Sequence, residues 1–344
     1  MKILFLQYEF LFFNDLIFQA FLIFYENYLI NFSVFNSQLS RCYFTHIDRI
    51  LSLITIPGTF SEEKMPNPKN ISIFEDTVNL VENTKRLREA VAASLKSQKF
   101  IAESDSVPDG SLVKRFEEPA QILVSKKRTF EAASAYAGKG GRVCVLNFAS
   151  ASNPGGGVVN GSSAQEESLC RVSTLYFTLD TDENWKRFYK PHRMSRDPIH
   201  NDDILYTPDI VVFKTDSSTP ERMAESDWFN CDVITCAAPN LRENPVNRYN
   251  SGDGRERLLL SDDELASVHR KRDRRIFDVA VQNKVDVLVL GAFGCGAFRN
   301  SPTVVADVML SLAKEYEHAF KTIEFAVYCP PFDDTNYRIF MKLS

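Results

Sequence analysis

The sequence predicts a single α/β domain: a central sheet with helices over both faces. Three observations carry that prediction. Short runs at 142–148, 232–237, 285–290 and 323–328 are almost continuously apolar, as strands buried on both faces must be. Longer segments with helical spacing of their apolar residues fill the gaps between them. Two of the runs pass directly into glycine-rich turns and then into a further helix.

In chain order, residues 75–95 predict a helix, with Thr77 as candidate cap and Leu80, Val81, Leu87, Val91 and Leu95 as the apolar stripe. Pro108-Asp109-Gly110 marks 101–115 as a turn or loop. A short strand at 121–125 and a small helix at 129–137 precede the buried strand 142–148. Pro208 interrupts the strand expected over 204–214, because proline cannot donate to a ladder. After the strand 232–237, a long helix at 261–283 carries Asp262, Asp263 and Glu264 at its positive end. The strand 285–290, a helix at 302–320 with proline in its first turn, and the strand 323–328 complete the fold.

Composition bounds the function. The 344 residues hold 40 basic and 45 acidic side chains, for a net charge of −5, with 44% hydrophobic residues. That balance excludes a disordered chain and a polytopic membrane protein, and gives no global attraction to nucleic acid or anionic lipid. Any anionic ligand must therefore be gripped locally. Residues 1–60 differ, with 11 of the 27 Phe and only seven charged residues. Three readings fit them: a membrane-interacting or targeting segment, a packed appendage, or upstream codons translated in error. Met65 is the first methionine after Met1 and typical globular composition begins there, so residues 1–64 are set apart as an extension and 65–344 as the acting domain.

The seven cysteines form no CxxC pair, and the five histidines form no HExxH. This pattern fits reduced thiols in the cytoplasm or nucleus, and implies neither a metal nor an organic cofactor.

The most informative stretch follows the strand 142–148. Gly155, Gly156 and Gly157 permit torsions and close approach that side chains forbid, and a helix follows. Strand, glycine loop and helix N-terminus together suit phosphate or ribose oxygens, although flexible glycines alone have the same composition. Gln165, Glu166 and Glu167 open that helix. Two carboxylates there can simply answer the helix dipole, but their place behind a triple glycine and a core strand is far more specific. A second turn, Gly291 to Phe298, repeats the logic after the strand 285–290, so two loops on neighbouring strands could clamp a pyrophosphate. Phe293 and Phe298 offer flat faces for a nucleotide, or serve as ordinary core aromatics. The turn at Pro239-Asn240 could line the same rim. The run Arg270 to Arg275 reads as a solvated helix face or, less simply, a surface for a polyanion.

These blocks, LNFASASNPGGGVVNGSSAQEESLCRVSTLY, YTPDIVVFK, DVITCAAPN and LVLGAFGCGAFRNSP, resemble in order the poly(ADP-ribose) glycohydrolases of the shorter, bacterial-type branch. The resemblance spans roughly 120–330. It implies a macrodomain-like three-layer α/β/α fold with a central mixed sheet, binding ADP-ribose. The implied activity is hydrolysis of ribose–ribose O-glycosidic bonds in poly(ADP-ribose), reversing ADP-ribosylation in the DNA damage response. Its partners would be poly(ADP-ribose) and poly-ADP-ribosylated proteins, with ADP-ribose as product and no direct recognition of duplex nucleic acid. A membrane would enter only through residues 1–64.

Carried over by position, the resemblance makes Glu167 the catalytic acid and Glu166 the neighbour that grips the distal ribose. Gln165 orders that pair, and Gly155, Gly156 and Gly157 run along the ribose and diphosphate. Asn153 lies in the segment that positions the ribose. Gly294, Cys295, Gly296, Ala297 and Phe298 form the second phosphate loop, with Phe298 stacking over the nucleotide. Arg299 stands where the family pattern leads one to expect glycine. Alternatives from neighbouring classes are a hydrolase of mono-ADP-ribosylated targets and a non-catalytic ADP-ribose reader.

Overall fold

The computed structural model describes residues 67–247, 253–254 and 256–344. The expectations for residues 1–64 lie outside the described residues. Alternation along one strand organises the rest. In β3 (Val143–Phe148), Val143 and Val145 enter one buried apolar layer and Cys144 and Leu146 the other. Successive strand side chains point to opposite faces, so a strand with no polar side must sit inside the molecule.

Seven strands form one mixed sheet in the order β1-β4-β5-β3-β6-β7-β2. The parallel part comprises β2 (Gln121–Ser125), β3, β5 (Phe229–Cys236), β6 (Val287–Leu290) and β7 (Thr322–Ala326). The antiparallel part is β4 (Ile204–Val212), paired to β5, with β1 (Lys99–Ile101) on its outer edge. Val145 lies opposite Val233 of β5 and Val289 of β6, so the strands bearing the three candidate loops are adjacent.

Helices α1 (Pro68–Asn83), α3 (Thr129–Ser134), α4 (Gln165–Val172) and α5 (Leu175–Leu179) pack on one face through Phe74, Phe130, Leu169 and Leu175. On the other face, α6 (Asp262–Gln282), α7 (Pro302–Glu315) and α8 (Thr335–Leu343) contribute Ile276, Phe277, Met309 and Phe340. The result is the expected three-layer α/β/α arrangement. Ser261 caps α6 through a reciprocal box with Glu264, which fixes the start of that helix.

Several elements differ from expectation for physical reasons. The helix expected over 75–95 is two, because Thr84 adopts extended torsions (φ −103°, ψ 114°) between α1 and α2 (Lys85–Ser97). Asn67, not Thr77, caps α1, accepting from the amides of Lys69 and Asn70. Thr77 is fully buried and donates to the Arg171 carbonyl. Pro208 does not end β4. The register shifts between Thr207 and Ile210, and the amide of Asp209 donates to the buried Asp232 carboxylate at 3.0 Å. The run 270–275 is a solvated face only in part: Arg270 and Lys271 are exposed, Arg274 and Arg275 half-buried, and Arg272 and Asp273 buried. Arg270 and Arg274 pair with Glu315, Lys271 pairs with Asp202, and buried Arg272 donates to Asp202 and to the carbonyls of Ile199, His200 and Ala237. The helical stretches Asp182–Asn184, Trp185–Tyr189 and Lys190–Ser195 had no forecast; the middle one is π-wound. Among the described residues no helix is long and apolar enough to cross a membrane.

A buried cation ties α1 to the sheet. Lys214, just beyond β4, donates from Nζ to the Ile73 carbonyl (2.8 Å) and Thr77 Oγ1 (2.7 Å) and pairs with Asp76 (2.9 Å). Lys214→Met would remove every donor while filling the same space. Urea unfolding should show a loss of about 1–3 kcal/mol; unchanged stability would mean the tether contributes nothing.

Candidate active site

Three loops leave the carboxyl ends of β5, β3 and β6, where parallel sheets place their ligands. Gln165 joins α4 to the central strand. Its amide donates to the Leu146 carbonyl (2.8 Å) and Thr129 Oγ1 (3.0 Å), while its Oε1 accepts from the Phe148 amide (2.9 Å). The side chain thus imitates an extra strand residue at the end of β3 and fixes where the next two residues point.

Those residues are Glu166 and Glu167, which are 3% and 7% exposed. Glu166 accepts from Asn147 Nδ2 at Oε1 (3.1 Å) and from the Ser150 amide at Oε2 (2.8 Å). Glu167 accepts from the Gly157 amide at Oε1 (3.0 Å), while its buried Oε2 has no hydrogen-bond partner among the described residues. Burial pushes the Glu166 carboxyl up to about 8, with a further push from Glu167 and an opposing pull from the Ser150, Asn147 and Gly155 donors. Burial also raises Glu167, against the Gly157 amide and other backbone donors at the helix start. Desolvation therefore prevails over the helix dipole at both carboxyls.

The glycine loop lies directly on this pair. Gly155 and Gly156 have φ of +66° and +57°, and a Cβ on Gly156 would stand 2.6 Å from Glu167 Oε1 and 3.2 Å from Glu166 Oε2. Only glycine satisfies both demands. The loop amides, expected to face a ligand, face the protein: Gly155 donates to Glu166, Gly156 to the Asn153 carbonyl and Gly157 to Glu167.

The second loop provides what the first does not. Gly294 (φ +76°) packs so tightly that a Cβ would meet Ala238 at 2.7 Å and Asn300 at 2.8 Å. Beyond it, the amides of Gly296, Ala297 and Phe298 have no acceptor among the described residues, and Gly296 and Ala297 are exposed. Cys295 is partly buried, its thiol turned to the Phe293 carbonyl. Phe298 is half-buried at the rim, with the Arg242 guanidinium 5.7 Å above its ring. Phe293 is a core residue, fully buried against Phe148. Arg299 has φ +61°, the left-handed geometry that explains the expectation of glycine there.

Sequence reasoning missed several supports, all of them long-range. Arg193 donates to the Ser152 carbonyl (2.7 Å) and to Asn153 Oδ1, and its guanidinium stacks 4.7 Å from the Trp185 ring. Tyr189, fully buried, places its hydroxyl within the field of Glu166. Asn147 and Asn300 stood in the motifs without an assigned role, and His269 had no local signal. Among the described residues no group of His, Cys, Asp or Glu is arranged to hold a metal ion.

Comparison with known proteins gives a consistent picture. Residues 70–215 match the family model for the microbial-type PARG catalytic domain. The fold is similar to poly(ADP-ribose) glycohydrolase from Thermomonospora curvata, with a TM-score of 0.68 and 28% identity over 81% of this chain and 100% of that one. The same enzyme bound to the inhibitor ADP-HPD gives 0.66 and 27%, over 80% of this chain and 99% of that one. The Deinococcus radiodurans enzyme in complex with ADP-ribose gives 0.61 and 29%, over 74% and 96%. No curated protein matches the sequence.

Two outcomes test this geometry. Gly156→Ala should lose at least ~1–2 kcal/mol from its left-handed torsion alone, seen as a lower melting temperature. Glu166 binds its proton more tightly folded than unfolded, with the carboxyl moved from 4.5 to about 8. Stability from this group is full below the lower value and falls as pH rises through the upper one. Glu166→Gln should flatten the dependence between pH 4.5 and about 8 in denaturant titrations; an unaltered slope would show that the buried acid is not its source.

Proposed function

We propose that Glu167 carries the chemistry of this chain, which is a microbial-type poly(ADP-ribose) glycohydrolase. The activity is hydrolysis of ribose–ribose O-glycosidic bonds in poly(ADP-ribose), with release of ADP-ribose. One observation supports Glu167 over its neighbour: both oxygens of Glu166 are held by donors, whereas Glu167 keeps a buried oxygen with none.

Breaking the bond requires a proton on the leaving oxygen and support for positive charge on the anomeric carbon. Burial raises the proton affinity of Glu167 above that of an ordinary carboxyl, which suits a proton donor, and the Gly157 amide holds the carboxyl in orientation. After the leaving group departs, the carboxylate takes a proton from the attacking water. Adjacent residues of one helical turn project ~100° apart, so Glu166 and Glu167 cannot flank a sugar from opposite faces. One carboxyl acts twice, while Glu166 anchors the distal ribose hydroxyls.

The remaining residues hold the substrate. The unpaired amides of Gly296, Ala297 and Phe298 suit the diphosphate, as a chain of net charge −5 requires a local backbone grip. Phe298 stacks on the nucleotide, and Asn153, braced by Arg193, positions the ribose. Gly155 to Gly157 act by pinning the two acids beneath the sugar. The targets are poly-ADP-ribosylated proteins in the cytoplasm or nucleus, a reading supported by the free cysteines at 144, 170, 231, 236, 295 and 329.

Glu167→Gln should bind ADP-ribose as the native chain does and lose ~10²–10⁴-fold in release of ADP-ribose from chain-bearing protein. Comparable turnover by the variant would remove Glu167 from the mechanism. Release by the native chain from mono-modified substrate alone would replace the polymer with a single ADP-ribose as the substrate.

A further inference from the structure

We infer that Asn300, His269 and Asp273 form a relay that sets the shape of the second glycine-rich loop, with His269 donating from Nε2 to Asn300. The inference rests on the reading that this loop grips the ADP-ribose diphosphate. Asn300 is 2% exposed, and His269 and Asp273 are fully buried. The two hydrogens of the Asn300 amide nitrogen are shared among the carbonyls of Pro239 (2.6 Å), Gly294 (3.2 Å) and Phe298 (3.3 Å). Gly294 and Phe298 bracket the residues whose amides lack acceptors, and Pro239 belongs to the turn after β5. One side chain thus holds both ends of the loop and ties it to the strand on the far side of β3.

The protons follow from the hydrogen-bond pattern. Because the amide nitrogen is committed to three carbonyls, Asn300 turns Oδ1 to His269, and Nε2 at 2.8 Å must be the donor. The other ring nitrogen, Nδ1, faces Asp273 Oδ2 at 3.2 Å, which fixes the plane of the ring. The second Asp273 oxygen is buried with no hydrogen-bond partner, so the contact with the ring is what orients this side chain. Arg272, on the same helix, is committed to Asp202 and to backbone carbonyls. The groups that face the pair from β5 and the second loop are the Cys236 and Cys295 thiols and the edge-on Phe293 ring. Asn300 and His269 touch no substrate in this account; they are positioning residues.

The test uses the full chain. With ¹⁵N-labelled histidine, Nε2 of His269 should show a protonated shift, whereas an unprotonated Nε2 would overturn the relay. Calorimetric titration with ADP-ribose should give about tenfold weaker binding for Asn300→Ala and for His269→Gln. On polymer the loss should fall on KM rather than kcat. Native affinity in folded Asn300→Ala would overturn the proposal while leaving the glycohydrolase reading intact. Failure of the native chain to bind ADP-ribose would overturn both. If both variants fail to fold, the native-chain spectrum still decides.

Discussion

The site depends on the clasp between the triple-glycine loop and two buried acids. Carboxylates sealed from water are costly unless donors meet them. Here the donors are backbone amides of Ser150, Gly155 and Gly157, together with Asn147. The amides can come so close because the loop has no side chains, and the acids can stay buried because the amides arrive. Gln165 makes the clasp rigid by fastening the helix start to the end of β3. Positioning is thus complete before substrate arrives, which is where preorganised electrostatics gain their advantage.

The clasp also divides labour between the two glycine-rich turns. Both follow parallel strands and both looked like phosphate cradles. Yet the amides of the first turn are consumed inward, and those of the second, at Gly296 to Phe298, are left outward. Similar sequence cues therefore serve different ends, because only the first turn has carboxylates beneath it. The outward loop needs its own scaffold, and the buried side chain of Asn300 lies where such a scaffold must be.

The sequence disclosed what depends on neighbours along the chain. The uninterrupted apolar run of β3, the glycines after it and the acids opening α4 are all local signals, and the parallel core followed from them. What depends on distant partners stayed hidden. The break at Thr84 leaves the helical periodicity on either side intact, so no pattern announced it. Pro208 signalled an interruption, but not that the Asp232 carboxylate would take the Asp209 amide and let the strand continue. Arginines 270, 272 and 274 read as a solvated run because Glu315 and Asp202 lie far from them in sequence. Asn300 closes the second glycine-rich motif and His269 lies within a long helix, but only the folded sheet brings the two together.

The tight seat of Gly156, with a carboxylate oxygen 2.6 Å from where a methyl would be, has a wider consequence. The floor of the cleft is closed to evolutionary experiment, since any side chain there would evict an acid. Divergence toward other chain lengths, termini or attachment chemistries must be written on the walls instead, at positions such as Arg193, Arg242 and Phe298. Descendants of this scaffold would then keep a common reaction and differ in what they admit to it.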